Sequence, residues 1–294
     1  MILEYIMIIA SVLLLGGQFA FQRLFQLKSG TAFRNTLLFN SLLGIFGATL
    51  CCGFIFIAYH RAPAFSTYSL VLALLMAACT TAYTLLGFIM MKNFGMTLFT
   101  VFLMMGGMTL PYIYGVARLG EECTFFNIGG LFMILAGIIL ANLKKGGGGA
   151  KNIAIGVVVF VVNGMCSIIS KTHQIETVYA TVSSPDFTFW TSVGKFALCS
   201  LILPLMKPQA TQPAECGLSK KSLFCLLAAV AFVPASILQF AAAKTLPATV
   251  LYPIVSGGLI IISAFIDRIF FKEKISRAAV AGIALCFLGT CLFL

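Results

Sequence analysis

Charged residues are scarce in this 294-residue chain, at 9% of the sequence. A soluble domain typically carries about 25% charged residues. Acidic residues are the scarcer sign, with 8 Asp or Glu against 19 Lys or Arg, while 61% of the chain is hydrophobic. So few charges cannot cover a water-soluble globule. The composition therefore predicts an integral membrane protein with the lipid bilayer as its solvent.

The groups that metal and hydrolytic chemistry require are also few. The chain has two histidines and lacks HExxH, GxSxG and Walker-type motifs. Its ten cysteines form no CxxC pair and are spread over apolar segments, where they suit small apolar fillers. We therefore expect a protein that is not an enzyme and that has no catalytic residues, metal or cofactor. An intramembrane enzyme is the weaker alternative.

Ten continuous apolar runs are each long enough to cross a bilayer, which takes roughly 20 residues of helix. They lie near residues 2–22, 35–58, 66–91, 94–117, 124–143, 152–171, 187–206, 222–243, 247–269 and 277–294. The predicted fold class is an all-α integral membrane protein with ten transmembrane helices.

Lysine and arginine divide unequally between the two faces that such a topology creates. Fourteen lie on one face, Lys195 lies inside a helix, and the opposite face holds Arg61, Arg118, Lys171 and Lys244. The positive-inside rule places the richer face in the cytoplasm and both termini outside. We expect a multi-pass protein of the bacterial plasma membrane whose basic residues set topology and bind no nucleic acid. A homodimer stays an open possibility.

An internal repeat organises the chain, because residues 97–137 resemble residues 248–289. The correspondences, at offsets of 151 or 152 residues, are Gly106-Gly107 with Gly257-Gly258, Glu122 with Glu273, Gly130 with Gly282 and Gly137 with Gly289. The repeats span 1–143 and 152–294, joined by a Gly/Lys linker over 144–151. Because each has five helices, the second enters the membrane in the opposite sense. This 5+5 inverted repeat is typical of secondary transporters; a duplication that only enlarges a scaffold is the alternative.

The sequence resembles the EamA-like family of the drug/metabolite transporter superfamily. The resemblance rests on YPIVSGGLIIISAFIDRIFFKEKISRAAVAGIALCFLG at 252–289 and on its weaker partner LGEECTFFNIGGLFMILAG at 119–137. It implies a ten-helix basket with a cavity lined by helices 1, 3, 4, 6, 8 and 9, and helices 5 and 10 at the back. It also implies transport of a small-molecule substrate: an amino acid, metabolite, nucleotide-sugar, amine or drug. A multidrug or cation exporter of the same fold and a channel are alternatives.

Helix 7 carries the most informative polar group, Lys195, which shares a face with Thr188 and Thr191. A lysine near mid-membrane costs several kcal/mol unless it is paired or hydrated. One hypothesis is that Lys195 attracts an anionic group of the substrate. The other is that it snorkels or pairs with a polar neighbour.

Two polar stripes at four-residue spacing occupy the first helix of each half. Their members are Gln18, Gln22 and Gln26 in helix 1, and Asn163, Ser167 and Lys171 in helix 6. Such stripes line a shared cavity or form hydrogen bonds between helices. Further candidate substrate-binding residues are Tyr83 in helix 3, Gln239 in helix 8, and Tyr252 and Ser256 in helix 9.

Prolines and glycines inside the apolar helices have separate expected roles. Pro111 and Pro253 are candidate hinges or gates, because proline removes one backbone hydrogen bond; a passive kink is the alternative. The glycines shared by helices 5 and 10 are expected to permit close packing. Glu122 and Glu273 are expected to form local ion pairs or to stabilise helix N-termini.

Overall fold

A computed structural model of the protein describes residues 2–30, 32–94, 96–141, 150–206, 218–272 and 277–293. These residues form ten α-helices and contain no β-strand. The helices are α1 (Ile2–Ser29), α2 (Phe33–Tyr59), α3 (Thr67–Phe94), α4 (Met96–Leu119), α5 (Phe125–Ala141), α6 (Ala150–Ile175), α7 (Ser184–Ile202), α8 (Leu218–Thr245), α9 (Ala248–Ile269) and α10 (Arg277–Cys291). A 3₁₀ turn, Leu203–Leu205, follows α7.

All ten helices lie where the apolar runs predict them. In the described part of the chain, seven are long and apolar enough to cross a membrane, namely α1, α2, α3, α6, α7, α8 and α9. Lipid cannot hydrogen-bond the backbone, so a continuous apolar run satisfies its own peptide groups as a helix. The prediction of an all-α membrane protein is confirmed, and a crossing by all ten helices stays a prediction.

The ends of several helices follow from local sequence. Gly30 after α1 and Gly120 after α4 adopt the left-handed conformation, with φ of 77° and 66°, that commonly ends a helix. Pro185 lies in the first turn of α7, where its missing N–H has no intrahelical partner to lose. Helix α6 begins at Ala150, inside the predicted 144–151 linker. Residues 144–149 of that linker lie outside the described residues, as does Glu273.

Large apolar side chains cover the outside of the bundle. Phe56 is 68% exposed, Leu201 72% and Phe125 86%, and many other large apolar residues share this exposure. A water-soluble monomer rarely exposes apolar surface continuously, whereas a membrane protein presents it to lipid. The chain is an integral, multi-pass membrane protein.

The interior is built from packing between the two predicted halves. Helix α1 packs against α8 and α9, and α6 packs against α3 and α4. Helices α2 and α7 contact each other, as do α5 and α10. The central bundle is therefore formed by pairs that join residues 1–143 to residues 152–294.

The α5–α10 contact confirms the packing role predicted for the repeated glycines. A Cβ atom at Gly130 would lie 2.8 Å from the carbonyl oxygen of Gly289, and one at Gly137 would lie 2.6 Å from that of Gly282. These distances leave no room for a side chain. Only glycine lets the two helix backbones approach this closely.

Candidate functional site

Lys195, the lysine predicted in the middle of α7, lies inside the helix bundle. It is 6% exposed, and its Nζ atom lies 5.1 Å from the centre of the Phe232 ring on α8. No residue in the described ranges forms a hydrogen bond or ion pair with it. A buried ammonium group without a counter-charge costs several kcal/mol, which favours water or an anionic ligand beside it.

Thr191 adds a hydrogen-bonding group one helical turn before Lys195. It is 4% exposed, and its hydroxyl has no partner among the residues that the structure describes. A buried hydroxyl left unpaired costs about 1–3 kcal/mol. Thr188, on the same face, instead donates to the Ser184 carbonyl oxygen at 2.9 Å. Thr191 and Lys195 therefore retain the capacity to bind water or a ligand.

The position of Lys195 relates α7 to the cavity helices that the family resemblance implies. Helix α7 is not one of the cavity helices that the family resemblance implies. The Lys195 side chain nevertheless lies against Phe232 of α8, which is one of them.

The polar stripe on α6 joins that helix to α4. The side-chain amide of Asn163 donates to the Leu103 carbonyl oxygen at 2.7 Å, and the Ser167 hydroxyl donates to the Gly107 carbonyl oxygen at 3.2 Å. A Cβ atom at Gly107 would lie 2.6 Å from the Asn163 amide nitrogen, which explains the glycine. The hydrogen bonds between helices favour the packing interpretation for Asn163 and Ser167.

Helix α9 places two predicted residues against this stripe. The Tyr252 hydroxyl donates to the Ser167 carbonyl oxygen at 2.6 Å, and Tyr252 is almost fully buried. Ser256, one turn further along, is also buried. Pro253 between them and Pro111 in α4 are buried inside their helices. Their hinge role stays a prediction.

The remaining predicted residues lie elsewhere in the bundle. Gln18 is buried and Gln22 half-buried on α1, which packs against α8, where Gln239 is half-buried. Tyr83 on α3 packs against an apolar cluster from α3, α4 and α6. The described contacts therefore place Tyr83 beside α4 and α6, Lys195 beside α8 and Tyr252 beside α6.

A surface groove of about 510 Å³ lies away from these residues. Its lining is apolar and comes from α2 and α7: Ala48, Thr49, Cys52, Gly53, Phe56 and Phe189. The groove is open to the outside of the bundle and contains none of the predicted site residues. It is a feature of the lipid-facing surface and not the predicted central cavity.

Glu121 forms a buried ion pair. An ion pair is predicted from the sequence for its neighbour, Glu122. The Glu121 carboxylate accepts the backbone N–H groups of Ala248 at 2.7 Å and Thr249 at 2.8 Å, at the start of α9. Its Oε1 atom lies 4.0 Å from the Nζ atom of Lys171. Lys171 belongs to α6, as the polar stripe predicts, and is buried. Glu122 is exposed.

Comparison with known proteins agrees with this architecture. Residues 154–294 match the profile of the EamA-like transporter family. The second half of the chain belongs to that family, which is part of the drug/metabolite transporter superfamily. The matched range contains the 252–289 motif on which the resemblance chiefly rests, so the family prediction is confirmed. A search of curated proteins found no significant match.

Solved structures extend the likeness to the whole chain. One crystal structure superposes on this chain with a TM-score of 0.73 at 15% sequence identity. The superposition covers 98% of this chain and 95% of the other. At that identity the likeness shows the fold alone. The family match over residues 154–294 indicates a membrane transporter of the drug/metabolite type.

Proposed function

We propose that the protein is a secondary transporter that moves a small metabolite by alternating access between two inverted five-helix halves. We further propose that Lys195 attracts an anionic or zwitterionic solute. One observation carries the solute class: a buried lysine with no carboxylate partner in the described chain lies beside an unpaired threonine hydroxyl.

The pattern of helix contacts supports the inverted repeat. Adding or subtracting five from each helix number converts the α1–α8 pair into α6–α3, and α1–α9 into α6–α4; both members of each exchange are present. The α2–α7, α4–α9 and α5–α10 pairs convert into themselves. Two halves related by a pseudo-twofold axis produce this exchange.

Individual contacts repeat in the same way. A Cβ atom at Gly258 would lie 3.0 Å from Val12, and one at Gly107 would lie 2.6 Å from Asn163. The offset of 151 residues relates Val12 to Asn163 and Gly107 to Gly258, so the two contacts are equivalent. An offset of 152 residues relates Gly130 to Gly282 and Gly137 to Gly289. It therefore converts the Gly130–Gly289 contact into the Gly137–Gly282 contact. The repeat found in the sequence is therefore matched by repeated packing.

Lys195 breaks this correspondence. Its counterpart at the same offset is Gly44, where a Cβ atom would lie 2.7 Å from the Phe196 backbone nitrogen. The charge is consequently present in one half only. A solute with a carboxylate or phosphate would bind with that group toward α7, which gives it a defined orientation.

A thermal-shift screen of carboxylates, phosphates, amines and neutral metabolites tests the binding claim, because a ligand stabilises the folded state that binds it. Compounds bearing carboxylate or phosphate should stabilise the wild type and the Lys244→Ala control, which removes an exposed lysine. They should not stabilise Lys195→Ala. Stabilisation by amines that survives Lys195→Ala would indicate a cation exporter instead.

Flux in proteoliposomes separates a carrier from a channel. A carrier gives saturable uptake of the stabilising compound, and uptake with and without a proton gradient identifies coupling. Unsaturated electrodiffusion would contradict alternating access while leaving the fold assignment intact.

A further inference from the structure

Several side-chain contacts join the two halves at one end of the bundle. This end, the basic-poor face, carries the α2–α3, α4–α5, α6–α7 and α8–α9 connections. The Tyr68 hydroxyl donates to Glu176 at 3.1 Å, and the hydroxyl of Ser66 donates to the Ala180 carbonyl oxygen. Both contacts join the start of α3 to the α6–α7 connection. Glu121 and Lys171 join the α4–α5 and α8–α9 connections at the same face.

Arg61 and Asp186 form the strongest of these links. Arg61 Nη1 donates to Asp186 Oδ1 at 2.9 Å, and Nη2 donates to Oδ2 at 2.6 Å. A two-bond guanidinium–carboxylate pair fixes geometry as well as distance. Asp186 is fully buried, whereas the Arg61 side chain is 37% exposed. The hydrogen bond to Asp186 raises the pKa of Arg61 above its usual value, so the guanidinium group stays charged.

The backbone of Ala64 completes the link. Its N–H group donates to Asp186 Oδ1 at 2.8 Å, and its carbonyl oxygen accepts the indole N–H of Trp190 at 2.8 Å. The Phe65 ring meets the Trp190 ring edge-on at 5.8 Å. The first turns of α7 therefore hold the α2–α3 connection at several points. Trp190 is the single tryptophan of the chain.

A second link ties α6 to the α8–α9 turn. The Lys171 ammonium group donates to the carbonyl oxygens of Ala243 at 3.0 Å and Leu246 at 2.5 Å. The same ammonium lies near Glu121, whose carboxylate holds the first N–H groups of α9. One buried ion pair thus connects elements of both halves.

The distribution of charge explains why such links can form at this face. The predicted topology gives the basic-poor face four basic residues and five acidic ones: Glu4, Glu121, Glu122, Glu176 and Asp186. The opposite face receives fourteen basic residues and three acidic ones. Nearly balanced charges can pair between halves, whereas an excess of one sign repels.

We propose that the Arg61–Asp186 pair, with Ala64 and Trp190, is a latch that holds the basic-poor face closed. The structure is then the state closed at that face, and the pair must separate before solute can enter or leave there. The latch rests on the proposed alternating access, because only a carrier has to open each face in turn.

The fluorescence of Trp190 measures whether the latch is closed, and no substrate is needed for the measurement. In protein reconstituted in nanodiscs, Arg61→Ala and Asp186→Asn should raise collisional quenching of Trp190 by acrylamide severalfold and shift its emission to the red. Arg118→Ala removes an exposed arginine of the same face and should leave both signals unchanged. Unchanged quenching in a monodisperse Arg61→Ala protein would overturn the latch.

A cross-link tests the latch without removing it. Ser66→Cys with Ala180→Cys, joined by a short thiol-reactive linker, should abolish flux in proteoliposomes, and a reducible linker should restore it on reduction. Each single variant treated alike is the control. Full flux in the cross-linked protein would overturn the latch while leaving transport itself intact. If the uncross-linked protein shows no flux, the proposed function fails, and the Trp190 signal still decides whether the face is latched.

Discussion

Removing the Glu121 carboxylate should weaken the packing of the α4–α5 connection against α6 and α9. The Glu121→Ala change deletes the acceptor of two N–H groups that begin α9, at 2.7 and 2.8 Å, and the charge 4.0 Å from Lys171 Nζ. Breaking one side of a buried ion pair costs about 3–5 kcal/mol. Lys171 keeps its hydrogen bonds to two carbonyl oxygens, so we expect a loss near the lower end, about 3 kcal/mol of the free energy of unfolding.

Reversible unfolding of the purified protein in mixed micelles measures this loss. The matched control is Glu122→Ala, which removes an exposed carboxylate from the neighbouring position and should change stability by about 0.5 kcal/mol or less. The double variant Glu121→Ala/Lys171→Met removes the orphaned charge too. It should be more stable than the sum of the two single losses predicts. Strict additivity, or a Glu121→Ala loss no larger than that of Glu122→Ala, would refute the buried ion pair.

Three further substitutions test packing and hydrogen bonding. Gly137→Val should lower stability by about 1–3 kcal/mol through overpacking against α10. Gly129→Ala, where a Cβ would meet no atom within 4 Å, should lose nothing, and equal thermal unfolding of the two would contradict the close contact. Asn163→Leu should cost about 0.6 kcal/mol and retain flux; lost flux at unchanged stability would place Asn163 in the solute path. Tyr252→Phe should cost about 1 kcal/mol in unfolding measurements through loss of its 2.6 Å hydrogen bond, and a neutral result would refute that bond.

The helices and the glycine contacts were predictable because their signals are local or repeated. A continuous apolar run identifies a helix by itself, and α1 and α6 differ from the predicted spans mainly in extending further at their ends. The pairing of Gly130 with Gly289 follows once the repeat aligns α5 with α10. Burial of Lys195 followed from its place in an apolar run, well inside α7.

The polar links between halves were not predictable from such signals. Arg61 and Asp186 are 125 residues apart, and each is an ordinary residue at a helix end. Glu121 and Glu122 are adjacent, so only the three-dimensional approach of α9 decides which of them is engaged. The small number of basic residues on the basic-poor face was one usable signal. The predicted topology gives that face four of them, so each is a candidate partner for the carboxylates there.

Counterflow in proteoliposomes tests most directly that two inverted halves expose one Lys195-containing site to each side in turn. Vesicles are preloaded with an unlabelled carboxylate or phosphate compound that stabilises the protein, then diluted into its tracer. We predict a transient overshoot of tracer inside wild-type and Lys244→Ala vesicles and none in Lys195→Ala vesicles. Tracer that only equilibrates in the wild type, or an equal overshoot in Lys195→Ala, would contradict the account.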